Sequence, residues 1–391
     1  MTVKNKYGYV SFSKPQFSES INELIDSAMN WDYIKGTIIK SFDFKGWMEK
    51  ARKDTSNNNI AEQESYSNDS LVLSNKILDI LLLDQYRKGP RENVEKYRED
   101  IISKIKHKVD QNESIEIIIP SFPGRPINPL TRTRTQPDLG EIASFTRLWT
   151  ISNHISKIYE PGVSFIIVLD GRAYAPFYGY TPESLRPYVR DLQKIIENLE
   201  LSNIIKLTDL QSLVEKREEE FKARYQETVK ELKEVWEDPN YNFRDELIHS
   251  MKLGTNTAAT NAAMIKLLKF YNSDFDIGEI INQMRQATYK RAYHTAFEYM
   301  CFLVTIKKID LLQTEFPHAI RGTVHPKEGQ YSPHLVNEHT SIVPWHGVAV
   351  LRENGRVDSV YESKILEQPQ KYKAVYIEGE YTPFYYEESD E

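Results

Sequence analysis

Two apolar, β-branched segments with a helix between them constrain the fold of this chain more than any other feature. Residues 115–120 are rich in isoleucine and end at a proline, and residues 163–169 form a second such run. Between them, Asp138 with Glu141 three residues later is typical of a helix N-terminus, and Pro161-Gly162 ends the helix. Strand, loop, helix and strand in this order predict an α/β unit with buried strands.

The domain organisation is predicted from this unit and from the composition on either side of it. Residues 1–110 are interpreted as a helical N-terminal segment packed on the core, with a strong helical periodicity at residues 71–86. Residues 111–380 are predicted to form a layered α/β domain with a mostly parallel or mixed central sheet flanked by helices. Residues 381–391 are rich in acidic side chains and predict a solvated tail.

Periodicity predicts the remaining elements. A charged helix is expected at residues 209–237, where Glu and Lys often lie four positions apart. Further helices are expected at residues 257–271 and 277–308, and short strands at residues 319–324, 342–352, 356–361 and 372–377.

Charge and cysteine content exclude several classes of protein. The chain has 50 Lys and Arg against 57 Asp and Glu, whereas proteins that bind nucleic acid generally carry a basic excess. The single cysteine, Cys301, is predicted to lie in the core. One cysteine excludes an internal disulfide framework and a thiolate zinc cluster.

No apolar run is long enough to span a membrane, and the first residues lack the apolar stretch of a secretory signal. We therefore expect a soluble, cytoplasmic protein.

A proline-rich loop, residues 121–136, follows the first strand and precedes the helix. Arg125, Arg132 and Arg134 give it a local charge of +3 without a single acidic residue. Guanidinium groups bind phosphate or carboxylate oxygens in pairs, and the N-terminus of a helix also favours an anion. We predict that these arginines and Asn128 hold a phosphorylated small molecule. The alternative is a solvated loop whose arginines pair with surface acids.

Polar residues also follow the second predicted strand. Asp170 can accept a proton or orient a substrate amine, and Arg172 can hold a carboxylate, because side chains at the ends of parallel strands line ligand sites. The alternative is a turn with an Asp–Arg pair on the surface.

Two histidines lie next to predicted strands nearer the C-terminus. His325 follows Arg321 and Thr323, and His346 follows Trp345. Because histidine titrates near neutral pH, we predict that both transfer protons, with Trp345 as an aromatic wall for the substrate. The alternative for both histidines is a structural role.

Motifs for nucleotide cofactors and metals are missing. The glycine-rich fingerprints of dinucleotide-binding and P-loop proteins do not occur. His325, His334, His339 and His346 cluster in sequence, but carboxylates or cysteines at a recognised metal-ligand spacing are lacking. We therefore predict no metal site.

Four stretches together resemble the isocyanide (isonitrile) synthases of the pyoverdine/dityrosine biosynthesis family, PvcA-like and Dit1-like. In the family's order, they are residues 120–128 with 137–141, residues 167–172, residues 316–326 and residues 344–347. The N-terminal part of the chain adds little to this resemblance.

The resemblance implies a reaction in which an L-amino acid, typically Tyr or Trp, condenses with ribulose 5-phosphate to give an isocyanide. The ketose supplies the isocyanide carbon, and no organic cofactor takes part. An Fe(II)/2-oxoglutarate oxygenase or a P450 would act afterwards on the product. For such a reaction we predict that Arg125, Arg132 and Arg134 hold the phosphate and that Arg172 or Arg321 holds the carboxylate. We predict that His325, His346 and Asp170 transfer protons.

The chain departs from the family pattern at two positions. Arg125 stands where bacterial members often have lysine, and Gly322 stands where an apolar residue is common. Because an arginine in a protein does not lose its proton to form a Schiff base, residue 125 can act here only through its charge.

Two other functions are alternatives at this point. An enzyme with the same fold and phosphate site could instead N-formylate an amino acid. A non-catalytic module could use residues 131–135 to dock an acidic partner or RNA, and it would then present a basic face rather than a basic pocket.

Overall fold

The structure is a computed structural model that describes residues 36–57, 69–126, 131–238, 241, 243–245, 247–248, 251, 260–261, 264–265 and 278–389. Its strands, in chain order, are β1 (Gly36–Ile39), β2 (Ile115–Ser121), β3 (Val163–Leu169), β4 (Ile205–Asp209), β5 (Ile320–Arg321), β6 (Val348–Leu351), β7 (Val357–Val360), β8 (Tyr372–Ile377) and β9 (Tyr385–Glu388). Its α-helices are α1 (Phe44–Asn57), α2 (Ser70–Leu81), α3 (Glu92–Glu95), α4 (Arg98–Asp110), α5 (Leu139–Ser156), α6 (Gly171–Tyr178), α7 (Arg186–Asn198), α8 (Leu210–Lys216), α9 (Glu218–Glu237), α10 (Gly278–Lys308), α11 (Leu311–Glu315) and α12 (Glu362–Leu366). Short 3-10 helices lie at Pro182–Leu185, Pro344–His346 and Pro369–Lys371.

A four-stranded parallel sheet, in the order β4-β3-β2-β5, forms the centre of the fold. Side chains of β2 and β3 alternate between two apolar cores. Ile117 and Ile167 belong to the core that also contains apolar residues of α2, α4, α5 and α7. Ile118 and Val168 belong to the core formed with α6, α8 and α10. Burial on both faces explains why these strands are continuous apolar runs, and the predicted α/β architecture is confirmed.

A second sheet, in the order β1-β8-β9-β6-β7, contains both parallel and antiparallel pairs. Helix α5 contacts β3 of the parallel sheet and also contacts β6 and β7 of the second sheet. Most residues of α5 are buried as a result, including both acids of its N-terminal capping box, Asp138 and Glu141. The helix that the capping residues predict therefore connects the two layers.

The second sheet corrects the prediction for the C-terminus. The predicted acidic tail begins within it, because Tyr385–Glu388 forms β9 between β8 and β6. Tyr386 is 3% exposed, and its hydroxyl donates a hydrogen bond of 2.7 Å to Glu362. Burial of the tyrosine outweighs the acidic character of the segment.

Other predicted elements differ in their bounds. The helix expected at residues 209–237 is interrupted at Arg217, and Asp209 caps the first of the two resulting helices. The strand expected from residue 342 begins at Val348, because Pro344–His346 forms a 3-10 helix. Residues 257–271 lie mostly outside the described residues.

Two simpler expectations can be compared directly with the structure. Cys301 is fully buried in the core, as predicted. Among the described helices, none combines the length and apolar character needed to cross a membrane.

Candidate functional site

The candidate site lies at the carboxyl edge of the parallel sheet. From β2 the chain proceeds to β3 and then β4 on one side, whereas β5 pairs with β2 on the other side. Connections that diverge in this way leave a crevice, the usual place for a ligand in such sheets. The loops after β2 and β5 approach the 3-10 helix Pro344–His346 here, which brings Arg132, His325 and His346 together.

Arg132 is the loop arginine whose surroundings best suit an anion. It is only 5% exposed, and its hydrogen bond within the described residues joins Nη1 to Thr131 Oγ1 at 3.1 Å. Its buried Nε has no partner there. Burial, and then the charge of Arg125, lower the pKa of Arg132 to about 10. An oxyanion would stabilise this buried guanidinium, which lacks an acidic partner among the described residues.

His346 lies near Arg132, and the residue is exposed to solvent although protein surrounds its ring. Burial, and then the charges of Arg132 and His325, lower the pKa of His346 to about 3. The imidazole is therefore neutral at pH 7 and can accept a proton. Although His325 is exposed, the protein on one side of its ring and then two neighbouring lysines lower its pKa as well.

Those two lysines, the partly buried Lys88 and the exposed Lys327, are candidate site residues that the sequence does not indicate. Burial lowers the pKa of each of them, and Arg321 is a further positive neighbour of Lys327. Burial also lowers the pKa of Arg321 to about 10, and its Nη1 is buried without a hydrogen-bond partner in the described part of the chain. Within that part, no carboxylate lies within 4.0 Å of any of the three side chains. No local sequence signal marks Lys88, which reaches His325 only through the fold.

Asp170 lies at the carboxyl end of β3, next to the loop that follows β2. The two loops touch: a Cβ on Gly171 would lie 1.7 Å from the carbonyl oxygen of Pro123, so only glycine fits. Asp170 begins α6 without capping it, and its Oδ1 is buried with no hydrogen-bond partner among the described residues. Burial raises the pKa of Asp170 to about 7. A carboxyl group with this pKa can exchange a proton at neutral pH.

Tyrosines from α6 and α10 surround Asp170. The rings of Tyr174 and Tyr299 pack edge to face at 4.9 Å, and burial followed by nearby groups, Asp170 among them, raises the pKa of both. Tyr178 also packs near Tyr299 and has Asp170 as a charged neighbour. Tyr174 is also a neighbour of Arg321. A carboxyl group and a guanidinium group thus lie near the same tyrosine, an arrangement that suits the ammonium and carboxylate of an amino acid.

Arg125 departs from the predicted anion-binding role. Its Nη1 donates to Glu141 at 2.8 Å, and its Nη2 donates to Asp138 at 2.7 Å and to the carbonyl oxygen of Gly347 at 2.6 Å. Although burial opposes the charge, the two carboxylates raise the pKa of Arg125. Both terminal nitrogens are occupied by protein acceptors, so the loop without acids obtains its counter-ions from the helix that follows.

Arg134 and Arg172 also have protein partners. Arg134 is buried, forms an ion pair with Glu380, and lies 5.2 Å above the ring of Phe384. Arg172 is exposed and binds Glu215 at 2.6 Å, on the wall of a cleft of about 370 Å³ that is also lined by Pro123 and Gly171. The three loop arginines therefore do not share one anion site. The positive charge of Arg172 is compensated by a carboxylate more fully than that of Arg321.

The remaining predicted ligands differ in their surroundings. Trp345 is 3% exposed and packs on Phe122 at 4.7 Å, so it is a core residue rather than the predicted aromatic wall. Thr323 Oγ1 donates to the carbonyl oxygen of His325 at 3.0 Å and accepts from its N–H at 3.3 Å, which shapes the loop that carries this histidine. Asn128 lies outside the described residues.

The histidines of the C-terminal part do not form a single cluster. His325 and His346 are neighbours, whereas His339 lies 3.8 Å from Glu338 and His334 lies near Arg147. Among the described residues, no group of three or more His, Cys, Asp or Glu side chains is placed to hold a metal ion.

Comparison with known proteins agrees with this architecture. A sequence model of the family described as "Pyoverdine/dityrosine biosynthesis protein" matches residues 105–374, more than half of the chain. The chain is 24% identical over 260 residues to L-tryptophan isonitrile synthase AmbI2 of Fischerella ambigua, which covers 64% of this chain and 72% of that protein. It is 23% identical over 295 residues to an L-tyrosine isonitrile synthase of Xenorhabdus nematophila, which covers 71% of this chain and 82% of that protein.

A solved structure shares the fold. The crystal structure of PvcA from Pseudomonas aeruginosa superposes with a TM-score of 0.56 at 22% identity, and the match covers 81% of this chain and 100% of that chain. From the family match and from relatives that are named synthases, we conclude that this chain is an enzyme and that it belongs to the pyoverdine/dityrosine biosynthesis family.

Proposed function

We propose that this enzyme is an isocyanide synthase that converts the amino group of an L-amino acid of the Tyr or Trp type, with ribulose 5-phosphate as the carbon donor. The names of the two relatives support the class of reaction and of amino acid. The observation that carries the proposal is the buried Arg132, which has no acidic partner among the described residues and lies near His346, itself a neighbour of His325. A site that must bind two anionic substrates requires such uncompensated cations.

Arg132 is assigned to the phosphate of the sugar. Its buried guanidinium can donate hydrogen bonds to two phosphate oxygens, and a bound anion offsets the cost of burying its charge. Arg125 and Arg134 are not assigned to the phosphate, because carboxylates of the protein already neutralise them. Arg125 instead holds the loop in place.

Asp170 and Arg321 are assigned to the amino acid. The unpartnered Oδ1 of Asp170 can accept a hydrogen bond from the substrate ammonium, and the unpartnered Nη1 of Arg321 can donate one to its carboxylate. Arg172, the other candidate for the carboxylate, already binds Glu215. The free amine, once Asp170 has taken its proton, attacks the ketose carbonyl.

His346 and His325 are assigned to the later proton transfers. Imine formation releases water and requires a proton donor for the carbonyl oxygen, and cleavage of the carbon–carbon bond requires a base. His346 is neutral at pH 7, so its ring nitrogen is available to accept a proton, and an anion bound at Arg132 would raise its pKa and make it a stronger base. By analogy with the family, we expect an Fe(II)/2-oxoglutarate oxygenase or a P450 to act on the product in the same cell compartment, the cytoplasm.

The proposal is tested by incubating the purified enzyme with uniformly ¹³C-labelled ribulose 5-phosphate and each L-amino acid in turn. We expect the product of an aromatic amino acid to gain one labelled carbon and to absorb in the infrared at the isocyanide stretch. An N-formylating enzyme would give a product heavier by one water molecule and without that absorption. Absence of any labelled product with all amino acids would contradict both assignments.

A docking module for acidic partners or RNA is the alternative that the structure supports least. Thr131, Arg132 and Arg134 are each less than a tenth exposed, so residues 131–135 do not present the basic face that such a module requires.

The matched control for the labelling experiment is Asp170→Asn. This variant leaves the arginines in place and removes only the proposed proton acceptor.

A further inference from the structure

The connection between α2 and α3 is attached to the loop that carries His325. Lys88 N–H donates a hydrogen bond of 2.7 Å to the carbonyl oxygen of Ser332. Gly89 has φ +82°, and a Cβ there would lie 2.5 Å from the side chain of Pro326. The close approach requires glycine at this position, and it fixes the preceding residue, Lys88, against the loop after β5.

Lys88 differs from Lys96 in having no acidic partner among the described residues. Its Nζ donates only a long hydrogen bond of 3.4 Å to the carbonyl oxygen of Ser341, and the side chain is half-buried. Lys96, by contrast, extends from the same segment to the same loop and forms an ion pair with Glu328 at 3.0 Å. Partial burial of an ammonium group without a counter-ion costs free energy, and a bound anion would offset that cost.

We propose that Lys88 is a substrate-binding residue that, beside His325, holds an oxyanion of one of the two substrates. This inference rests on the proposed function, and it deepens it by assigning a residue outside the match to the family model, which begins at residue 105. An ammonium group binds the oxygens of a phosphate and of a carboxylate in the same way. The experiment therefore measures the binding of both kinds of substrate.

The arrangement of charges supports the proposal. Arg132 is a charged neighbour of His346, whereas Lys88 and Lys327 are charged neighbours of His325, and Arg321 is a neighbour of Lys327. Two groups of cations match two anionic groups, one on each substrate. The second group is completed by the N-terminal segment, which therefore takes part in forming the site as well as packing on the core.

The proposal is tested with Lys88→Gln, Lys88→Arg and the control Lys96→Gln in the full chain. Calorimetric titrations measure the affinity for ribulose 5-phosphate, for L-tyrosine and L-tryptophan, and for inorganic phosphate. We expect Lys88→Gln to bind one of the two kinds of substrate about tenfold more weakly, as for the loss of one charge-assisted hydrogen bond. We expect Lys88→Arg to retain most of the affinity and Lys96→Gln to bind like the wild type. The substrate affected identifies the oxyanion.

Wild-type affinity of Lys88→Gln for both kinds of substrate, and for phosphate, would overturn the proposal. If the wild type binds neither substrate but binds phosphate in a Lys88-dependent way, the proposed function fails while the anion site stands. A second measurement covers the case in which Lys88→Gln does not fold. In the wild type, nuclear magnetic resonance should show the His325 ring titrating at higher pH when the oxyanion is bound, and an unchanged titration would also overturn the proposal.

Discussion

Arg125 donates a hydrogen bond of 2.6 Å from Nη2 to the carbonyl oxygen of Gly347, the residue that follows His346. The same guanidinium binds both acids of the capping box at the start of α5. One buried side chain thus joins the loop after β2, the helix between the two sheets, and the segment that carries a proposed proton carrier. We infer that it positions the segment of His346, since two carboxylates of the protein already compensate its charge.

We expect Arg125→Met to reduce the stability of the protein strongly. It would leave Asp138 and Glu141 buried without their cation, and breaking a buried pair typically costs about 3–5 kcal/mol. Arg125→Lys keeps the charge but cannot reach all the acceptors, so a smaller loss is expected. Urea unfolding measures the free energy of unfolding of each variant, and equal stability of Arg125→Met and the wild type would show that the network is not structural.

Arg132 and Arg134 should respond in opposite ways to replacement by glutamine. Arg132→Gln removes a buried charge that has no acidic partner among the described residues, so we expect unchanged or improved stability and a rise of about tenfold or more in KM for ribulose 5-phosphate. Arg134→Gln leaves Glu380 without its cation, so we expect lower stability and an unchanged KM. Steady-state kinetics and thermal unfolding measure both effects. A larger rise in KM for Arg134→Gln would reverse the assignment.

The sequence predicts those parts of the fold that depend on neighbouring residues. The runs at residues 115–120 and 163–169 become β2 and β3 because helices cover both faces, and Asp138 with Glu141 forms the capping box that their spacing indicates. Strand β9 is missed because its acidic residues indicate a tail, whereas burial of a tyrosine decides its position.

The site is predictable only in part, for a physical reason. The spacing of polar residues after strands predicts a site at the carboxyl edge of the parallel sheet, but it does not indicate which charges are neutralised within the protein. Arg125 and Arg132 look alike in sequence, and only the fold brings carboxylates to one and not, within the described residues, to the other. Lys88 is missed because it reaches the site from a segment distant in sequence.

His346→Gln is expected to lower kcat with little change in KM. General acid–base catalysis typically contributes about 10²–10⁴-fold to the rate, and we expect a loss in this range. Because burial, Arg132 and His325 keep the pKa of His346 near 3, the imidazole stays neutral between pH 5 and 8. The pH dependence of kcat in that interval should therefore have the same shape in the variant as in the wild type. A near-normal rate would remove His346 from the mechanism.

Asp170→Asn is expected to abolish turnover and to raise stability at alkaline pH. Burial raises the pKa of Asp170 to about 7 in the folded protein, whereas an unfolded Asp titrates near about 3.9. The folded state therefore binds the proton more tightly, and this residue's contribution to stability falls as pH rises from about 4 to about 7. Asparagine has no such penalty, so the melting temperature of the variant should match the wild type near pH 4 and exceed it by a few degrees at pH 8. Thermal unfolding of both proteins across this range measures the difference. A difference that does not change with pH would mean that Asp170 is already ionised in the folded enzyme, and the carboxyl group would then not be the acceptor of the substrate's proton.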